Sequence, residues 1–200
     1  MRVVVTEFIS LDGVVQAPGG PEEDTDGGFT HGGWSHPFFD PEVLGGAFAA
    51  GLEKAEALLY GRRTYRTMAA AWPERAGDPF ADRLNSLRKY VVSDTLGDEE
   101  LTWDNTVRVP GAQALDKVRE LRAADGGDVA MMGSPTLVRA LIEADLVDEL
   151  RLVVMPVMLG GGKSIFPADG ALRTWELVSS VTAKTGAQVN VFRPARGPQG

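Results

Sequence analysis

The chain has 200 residues and a mass of 21.4 kDa, with 44% hydrophobic and 24% charged residues, which suits one domain with a sizeable core. Its 28 acidic and 20 basic residues give a net charge of −8, which argues against a broad basic face for nucleic acid. Cysteine is absent, which excludes disulfides and cysteine-ligated zinc. Only His31 and His36 are available for imidazole chemistry, too few for a multi-histidine metal enzyme. We find no signal-peptide pattern and no apolar run long enough for a membrane span, and we expect a cytoplasmic protein.

The first half of the chain predicts strands separated by helices and one long loop. An apolar strand opens at Val3 and ends near Ser10. Residues 17–40 form a long insertion whose glycine-rich, acidic part, up to Gly33, is a candidate lid. Asp40-Pro41-Glu42 is a helix start, with an N-cap residue, a proline and an early acid. The pattern then predicts a strand at 57–60, helices at 64–72 and 78–87, and a strand at 89–93.

The second half continues the alternation and ends in two strands without a helix between them. It predicts strands at 106–109, 128–132 and 149–155, a helix from Leu115 that ends at Gly126, and a helix that starts at Ser134-Pro135. Residues 175–182 and 187–193 read as a hairpin. The whole pattern predicts a single α/β domain over residues 1–200, with a mixed, mostly parallel sheet of eight strands flanked by helices.

Two strand-to-helix turns carry residues suited to anions. In Gly61-Arg62-Arg63-Thr64, a buried strand ends, glycine allows close backbone approach, and two guanidinium groups precede a helix expected to begin at Thr64. Because cations at a helix start oppose its macrodipole, a bound anion explains the arginines better than solvated loop charges do. Gly133-Ser134-Pro135-Thr136 follows the strand at 128–132 and alone reads as helix capping. Together the two turns favour a ligand with separated phosphates, such as a dinucleotide.

Several other residues admit two interpretations. Asp12, in Ser10-Leu11-Asp12-Gly13, is either a turn residue or a carboxylate that orients substrate or relays a proton. Trp34 and Phe39 either staple the following helix or line an aromatic substrate pocket. The triple glycine that includes Gly161 lacks the earlier glycine of a P-loop and is expected to turn the chain near a ligand cleft. His31 and His36 favour solvated loop histidines over a metal site, and no metal is predicted.

These motifs, taken in order along the chain, resemble the dihydrofolate-reductase-like family. The branch is that of stand-alone proteins similar to the reductase domain of the bifunctional riboflavin-biosynthesis deaminase-reductase. The likeness runs from Met1 to about Pro194 and is carried by Ser10-Leu11-Asp12-Gly13-Val14, Asp24 with Gly27-Gly28-Phe29, Gly32-Gly33-Trp34, Leu59-Tyr60-Gly61-Arg62-Arg63-Thr64-Tyr65 and Met155-Pro156-Val157-Met158-Leu159-Gly160-Gly161-Gly162-Lys163.

The resemblance implies the dihydrofolate-reductase-like three-layer fold, a homodimer and NADPH as hydride donor. Carried over by position, it places Gly61, Arg62, Arg63 and Thr64 at the adenosine-side phosphates, Ser93 near the adenine ribose, and Gly133, Ser134 and Thr136 at the pyrophosphate. Asp12 is the candidate catalytic residue, and Trp34, Phe39 and Gly161 are candidates for the substrate pocket. The implied reaction reduces a ribosylaminopyrimidine to its ribityl form.

The chain also departs from the related enzymes. It lacks the cysteines that a zinc deaminase needs, so deaminase activity is excluded. A dihydrofolate reductase carries an acid inside its first helix, shortly after a tryptophan, whereas Asp40 after Trp34 reads as the helix cap. The leading expectation is an NADPH-dependent reductase of a small heterocycle. Dihydrofolate reduction and a non-catalytic nucleotide- or ligand-binding protein are the alternatives.

Overall fold

A computed structural model of the chain describes residues 1–195 and contains eight strands and five α-helices in that range. The strands are β1 (Arg2–Ser10), β2 (Ala55–Gly61), β3 (Arg88–Val92), β4 (Thr106–Val109), β5 (Asp128–Met132), β6 (Glu149–Met155), β7 (Trp175–Thr182) and β8 (Gln188–Pro194). The helices are α1 (Gly46–Glu53), α2 (Arg62–Ala71), α3 (Pro79–Ser86), α4 (Ala114–Ala123) and α5 (Pro135–Glu143). None of these helices is both long and apolar enough to cross a bilayer.

All eight strands belong to one sheet in the order β4-β3-β2-β5-β1-β6-β8-β7. The six strands from β4 to β6 are parallel, whereas β8 pairs antiparallel with both β6 and β7. Each parallel connection needs a crossover, which the intervening segments supply, while the short turn between β7 and β8 permits only antiparallel pairing. The predicted mixed, mostly parallel eight-stranded sheet with a C-terminal hairpin is therefore confirmed.

Apolar side chains fill both faces of the parallel part of the sheet. On one face, the strand residues Val5 and Met131 pack in a cluster with Val138 and Leu141 of α5. On the other face, a second cluster contains strand, α2 and α3 residues, including Leu58, Tyr60, Tyr65 and Leu84. Burial on both faces explains why the central strands are continuous apolar runs rather than alternating ones.

Two helix starts differ from the sequence-based boundaries. Helix α2 begins at Arg62, two residues before the predicted start, with Gly61 in the N-cap position. The helix predicted from Asp40 is divided into a π-helical turn, Pro41–Gly45, and α1. Asp40 caps that turn as predicted, because its carboxylate accepts hydrogen bonds from the amides of Glu42 and Val43 at 3.0 and 3.1 Å.

Candidate functional site

The two predicted anion-binding turns lie side by side at the carboxyl edge of the sheet. Strands β2 and β5 are neighbours, and the helices that follow them, α2 and α5, pack on opposite faces. In open α/β sheets such a divergence is where a ligand-binding crevice is expected, and we call the region between the two turns the crevice. The Oγ of Ser134 accepts a hydrogen bond from the Gly61 amide at 2.8 Å, which joins the two turns directly. The structure thus brings together the residues that sequence analysis paired.

Small side chains and unusual backbone angles allow the turns to approach so closely. A Cβ atom on Gly133 would lie 3.0 Å from Thr64 Cγ2, and φ at Gly133 is +80°. Ser134 also has a left-handed backbone, with φ of 72°, which is costly for a residue with a side chain. Ser134 occupies the N-cap position of α5, but its side chain does not cap the helix. Its hydroxyl instead holds the neighbouring turn.

The two arginines of the first turn have different surroundings. Arg62 and Arg63 are the first two residues of α2. Within residues 1–195 the Arg62 guanidinium forms no hydrogen bond or salt bridge, and its charge is near enough to Glu100 to help lower the pKa of that carboxyl group, after the Gly97 amide and the Arg66 guanidinium. The Arg63 guanidinium forms salt bridges with Asp24, at 3.2 Å, and Asp26. Of the two arginines predicted to bind phosphate, Arg63 is thus paired with the acidic loop, residues 17–33.

Ser93 and Thr136, also predicted to bind the coenzyme, lie at the same edge of the sheet, and their hydroxyl groups differ in hydrogen bonding and exposure. Ser93 directly follows β3, and its Oγ accepts hydrogen bonds from the amides of Thr95 and Leu96 at 3.2 and 2.9 Å. Its hydroxyl therefore stabilises its own turn and is nearly buried. Thr136 is the second residue of α5 and is exposed. Thr136 thus has the freer hydroxyl of the two.

Asp12 holds the glycine-rich loop that follows β6. Its carboxylate accepts hydrogen bonds from Ser10 Oγ at 2.5 Å, the Gly160 amide at 2.7 Å and the Leu159 amide at 3.1 Å. The Ser10 hydroxyl and then the Gly160 amide lower the pKa of Asp12 to about 2. A catalytic role for Asp12 stays a prediction. Its geometry supports positioning of the loop.

A cavity of about 480 Å³ lies between the acidic loop and the triple-glycine loop, within the size range of small-molecule sites. Gln16, residues 26–31 and residues 159–163 line it, so Gly161 is in its wall. Trp34 is not. It is 7% exposed in a core cluster, and its Nε1 donates to the Gln16 carbonyl at 2.7 Å.

Packing under the loop occupies both the ring and the donor of Trp34, so Trp34 does not line this cavity. Phe39 is 44% exposed and lies outside the cavity walls, which also separates it from Gly161. Neither aromatic side chain therefore lines the cavity that the two loops enclose. The walls come mainly from glycines and short polar residues of those loops.

Four charged residues join the cavity to the crevice, and we call them the ion cluster: Asp24, Asp26, Arg63 and Lys163. The Lys163 ammonium contacts the Asp24 carboxylate at 2.5 Å and that of Asp26 at 2.9 Å, and both carboxylates also bind Arg63. Sequence reasoning missed this cluster. The acids and their partners are separated by 37 to 139 positions, so no local pattern announces the pairing.

A buried acid, Glu7, was also missed. It lies on β1 with 3% exposure, and its Oε1 is buried without a hydrogen-bond partner. Burial, together with the charge of Glu23, raises the pKa of Glu7 to about 8, while the Gly133 amide opposes the shift. A carboxyl group with a pKa of about 8 is mostly protonated at pH 7. The only signal in the sequence is an acid that interrupts an apolar strand.

The histidines do not assemble a metal site. His31 lines the cavity and packs edge-on against Phe29, with ring centroids 5.6 Å apart. In the part of the chain that the structure describes, no group of three or more His, Cys, Asp or Glu side chains could hold a metal ion. The site thus consists of a crevice, an adjoining cavity and the ion cluster between them.

The chain is similar in sequence to a curated protein and in fold to several solved structures. A Bacillus subtilis protein, YyaP, is 27% identical over 170 residues, which cover 82% of this chain and 80% of the relative. A putative riboflavin biosynthesis protein from Shewanella sp. PV-4 superposes with a TM-score of 0.74 at 19% identity, covering 98% of this chain and 100% of the other.

Two further solved structures share the fold at 14% identity and 98% coverage of this chain. One is a pyrimidine reductase-like protein from Corynebacterium diphtheriae, with a TM-score of 0.65 and 92% of its chain covered. The other is dihydrofolate reductase from Enterococcus faecalis complexed with NADP(H), with a TM-score of 0.60 and 97% covered. The model of the RibD C-terminal domain family matches residues 1–189. The chain therefore belongs to the RibD C-terminal domain family.

Proposed function

We propose that the chain is an NADPH-dependent reductase of a small heterocyclic substrate. Its chemistry would be most like that of 5-amino-6-(5-phosphoribosylamino)uracil reductase in riboflavin biosynthesis. The observation that carries the proposal is the crevice between β2 and β5, in which two helix N-termini are joined by the Gly61–Ser134 hydrogen bond. The family and the solved reductases of the same fold support it.

The residues at the crevice fit a dinucleotide. Gly61 and Gly133 present no side chains there, and a Cβ on Gly133 would lie 3.0 Å from Thr64 of the opposite turn. Arg62 supplies planar donors for a phosphate on one side, and Thr136 supplies a hydroxyl at the start of α5 on the other. We assign these residues to NADPH, with Arg62 as the principal charge partner.

The protein's part in the reaction is to bind and orient. When bound, NADPH would supply a hydride to the carbon of a C=N bond, and a proton from water would go to the nitrogen, giving NADP⁺ and an amine. Asp12 fixes the loop at 159–160 and keeps one wall of the cavity in place. Such positioning, rather than a protein nucleophile, is what hydride transfer requires.

Coenzyme binding is tested by nicotinamide fluorescence on the wild type, Arg62→Ala and Arg88→Ala. Arg88 is an exposed arginine at the start of β3, at the opposite edge of the sheet, and serves as the control. Loss of a charge-assisted phosphate contact is expected to raise the Kd of Arg62→Ala about 10- to 100-fold. Absence of saturable binding to the wild type, or the same Kd in all three proteins, would refute the proposal.

Turnover assays separate the alternatives. Oxidation of NADPH with a ribosylaminopyrimidine supports the proposed reductase, whereas oxidation with dihydrofolate alone supports a folate reductase. Asp40 weighs against folate, because it caps the helix start: its Oδ1 accepts hydrogen bonds from the amides of Glu42 and Val43. Tight NADPH binding without oxidation by any pyrimidine or pterin would indicate a non-catalytic binding protein.

We also propose a homodimer that forms through the hairpin. Strand β7 is at the edge of the sheet and exposes Leu177, Val178 and Val181. An outer strand with exposed apolar side chains is a common association surface. A mass of one chain in sedimentation equilibrium at micromolar concentration would exclude it.

A further inference from the structure

We infer that the substrate of this site carries no phosphate group, and that Asp24 and Asp26 are the residues that exclude phosphorylated substrates. The inference rests on the proposed function, because it takes the cavity beside the crevice as the substrate pocket. It narrows the substrate class to an uncharged heterocycle or heterocyclic riboside.

The cavity offers no uncompensated positive charge. Apart from His31, its ionisable lining residues are Asp26 and Lys163. Lys163 is held by both Asp24 and Asp26, and the nearby Arg63 is held by the same two carboxylates. The ion cluster therefore has two positive and two negative charges and a net charge of zero.

A phosphate monoester carries a charge of about −1.5 to −2 at pH 7 and needs cations or several amide donors as partners. To pair with Lys163 it would have to displace two carboxylates that already contact the ammonium, at 2.5 and 2.9 Å. Those carboxylates would remain beside it as like charges, a distinct cost in a partly buried site.

The acids cannot easily move away, because a buried side chain fixes their backbone. The Nε2 of Gln16 donates to the carbonyls of Asp24 and Asp26, each at 3.0 Å, and its Oε1 accepts from the Lys163 amide at 3.0 Å. Gln16 is almost fully buried. One amide side chain thus ties the acidic loop to the triple-glycine loop and holds the ion cluster at the wall of the cavity.

The other walls suit a neutral ligand. Residues 160–162 present glycine backbone, and Thr30 and Phe29 add a hydroxyl and an aromatic ring. Backbone groups and a hydroxyl can hydrogen-bond the edge of a heterocycle or the hydroxyls of a sugar without requiring charge. The polar groups of the cavity thereby match a riboside better than its phosphate ester.

The test compares two probes that differ only in the phosphate, 5-amino-6-(ribosylamino)uracil and its 5′-phosphate. Their binding is measured by calorimetry without coenzyme, and their kcat/KM by NADPH oxidation. The variants are Asp24→Asn/Asp26→Asn, Asp26→Asn alone as the milder change, and Glu22→Gln. Glu22 is an exposed acid of the same loop and lies outside the ion cluster.

The wild type is expected to bind the riboside about tenfold or more tightly than the phosphate. Either asparagine variant should shift this ratio toward the phosphate, by about tenfold for the double variant, since Lys163 and Arg63 become free. Glu22→Gln should leave the ratio unchanged. A wild type that prefers the phosphate, or a ratio that neither asparagine variant moves, overturns the inference.

Failure of this inference can be distinguished from failure of the proposed function. If neither probe binds while NADPH does, the substrate assignment of the cavity is wrong and the coenzyme site stands. If the riboside binds and NADPH does not, the preference against phosphate is retained as a binding property and the reductase is rejected.

Discussion

Replacement of Glu7 by glutamine should make the protein more stable at alkaline pH. Glu7 is buried on β1, and burial is the main cause that raises its pKa from 4.5 to about 8. Glutamine has nearly the same shape and cannot ionise, so the substitution removes the titration with little change in packing. The Gly133 amide, which faces the carboxyl group, retains an oxygen acceptor.

The direction and size of this change in stability follow from the linkage between folding and proton binding. A carboxyl group whose pKa is higher in the folded state contributes its full stability below pH 4.5 and loses it as the pH rises through about 8. At about 1.36 kcal/mol per pKa unit, the folded wild type loses roughly 3 kcal/mol between pH 4.5 and 7, and about 5 kcal/mol by pH 9. Glu7→Gln should escape this loss.

Urea unfolding at pH 5, 7 and 9 measures the difference in unfolding free energy between wild type and Glu7→Gln. Because other groups titrate equally in both proteins, the difference isolates Glu7, and it should grow in favour of the variant as the pH rises. Glu22→Gln, which changes an exposed carboxylate, should differ from wild type by less than about 0.5 kcal/mol throughout. A difference for Glu7→Gln that does not vary with pH would refute the assignment of a neutral buried acid.

Two further predictions concern the crevice and the opposite edge of the sheet. Gly133→Ala should lower the unfolding free energy by about 1–3 kcal/mol, because the φ of +80° is left-handed and the new Cβ would lie 3.0 Å from Thr64. Gly61→Ala should cost distinctly less, since the nearest atom to its new Cβ would be 3.4 Å away. Thermal unfolding of both variants distinguishes the two costs. Glu149→Ala should cost about 3 kcal/mol in urea unfolding, because its buried carboxylate is bonded to three arginines. Asp116 is exposed and forms a salt bridge with Arg119, so Asp116→Ala should lower the unfolding free energy by less than about 0.5 kcal/mol. Equal losses of unfolding free energy at Asp116 and Glu149 would contradict the burial argument.

Local sequence patterns predict most of the strands and helices, and particular elements show why. The apolar runs that became β1, β2 and β5 are buried on both faces, so their sequences carry a strong strand signal. The start of α2 was misplaced because its arginines oppose the helix macrodipole and do not look like first-turn residues. The turns at Gly61 and Gly133 were found because glycine followed by a helix start is itself a local signature.

The side-chain contacts of the site, unlike the strands and helices, cannot be read from local sequence patterns. Trp34 could be an aromatic wall or a packing residue, and only the 2.7 Å contact with the Gln16 carbonyl decides for packing. That Asp12 holds the loop after β6 is likewise visible only from the amides bonded to its carboxylate. In each case the deciding partner lies far along the chain, where periodicity and capping rules carry no information.

The amino-acid order by itself determined the succession of strands and helices and the two glycine turns, because hydrophobic period, caps and turn residues act over a few positions. The three-dimensional arrangement decided which charges face the ligand. It paired Arg63 and Lys163 with the acidic loop, left the Arg62 guanidinium without a hydrogen bond or salt bridge in residues 1–195 and raised the pKa of Glu7. Charge neutralisation and desolvation depend on distance and burial, and both are set only when remote segments pack together.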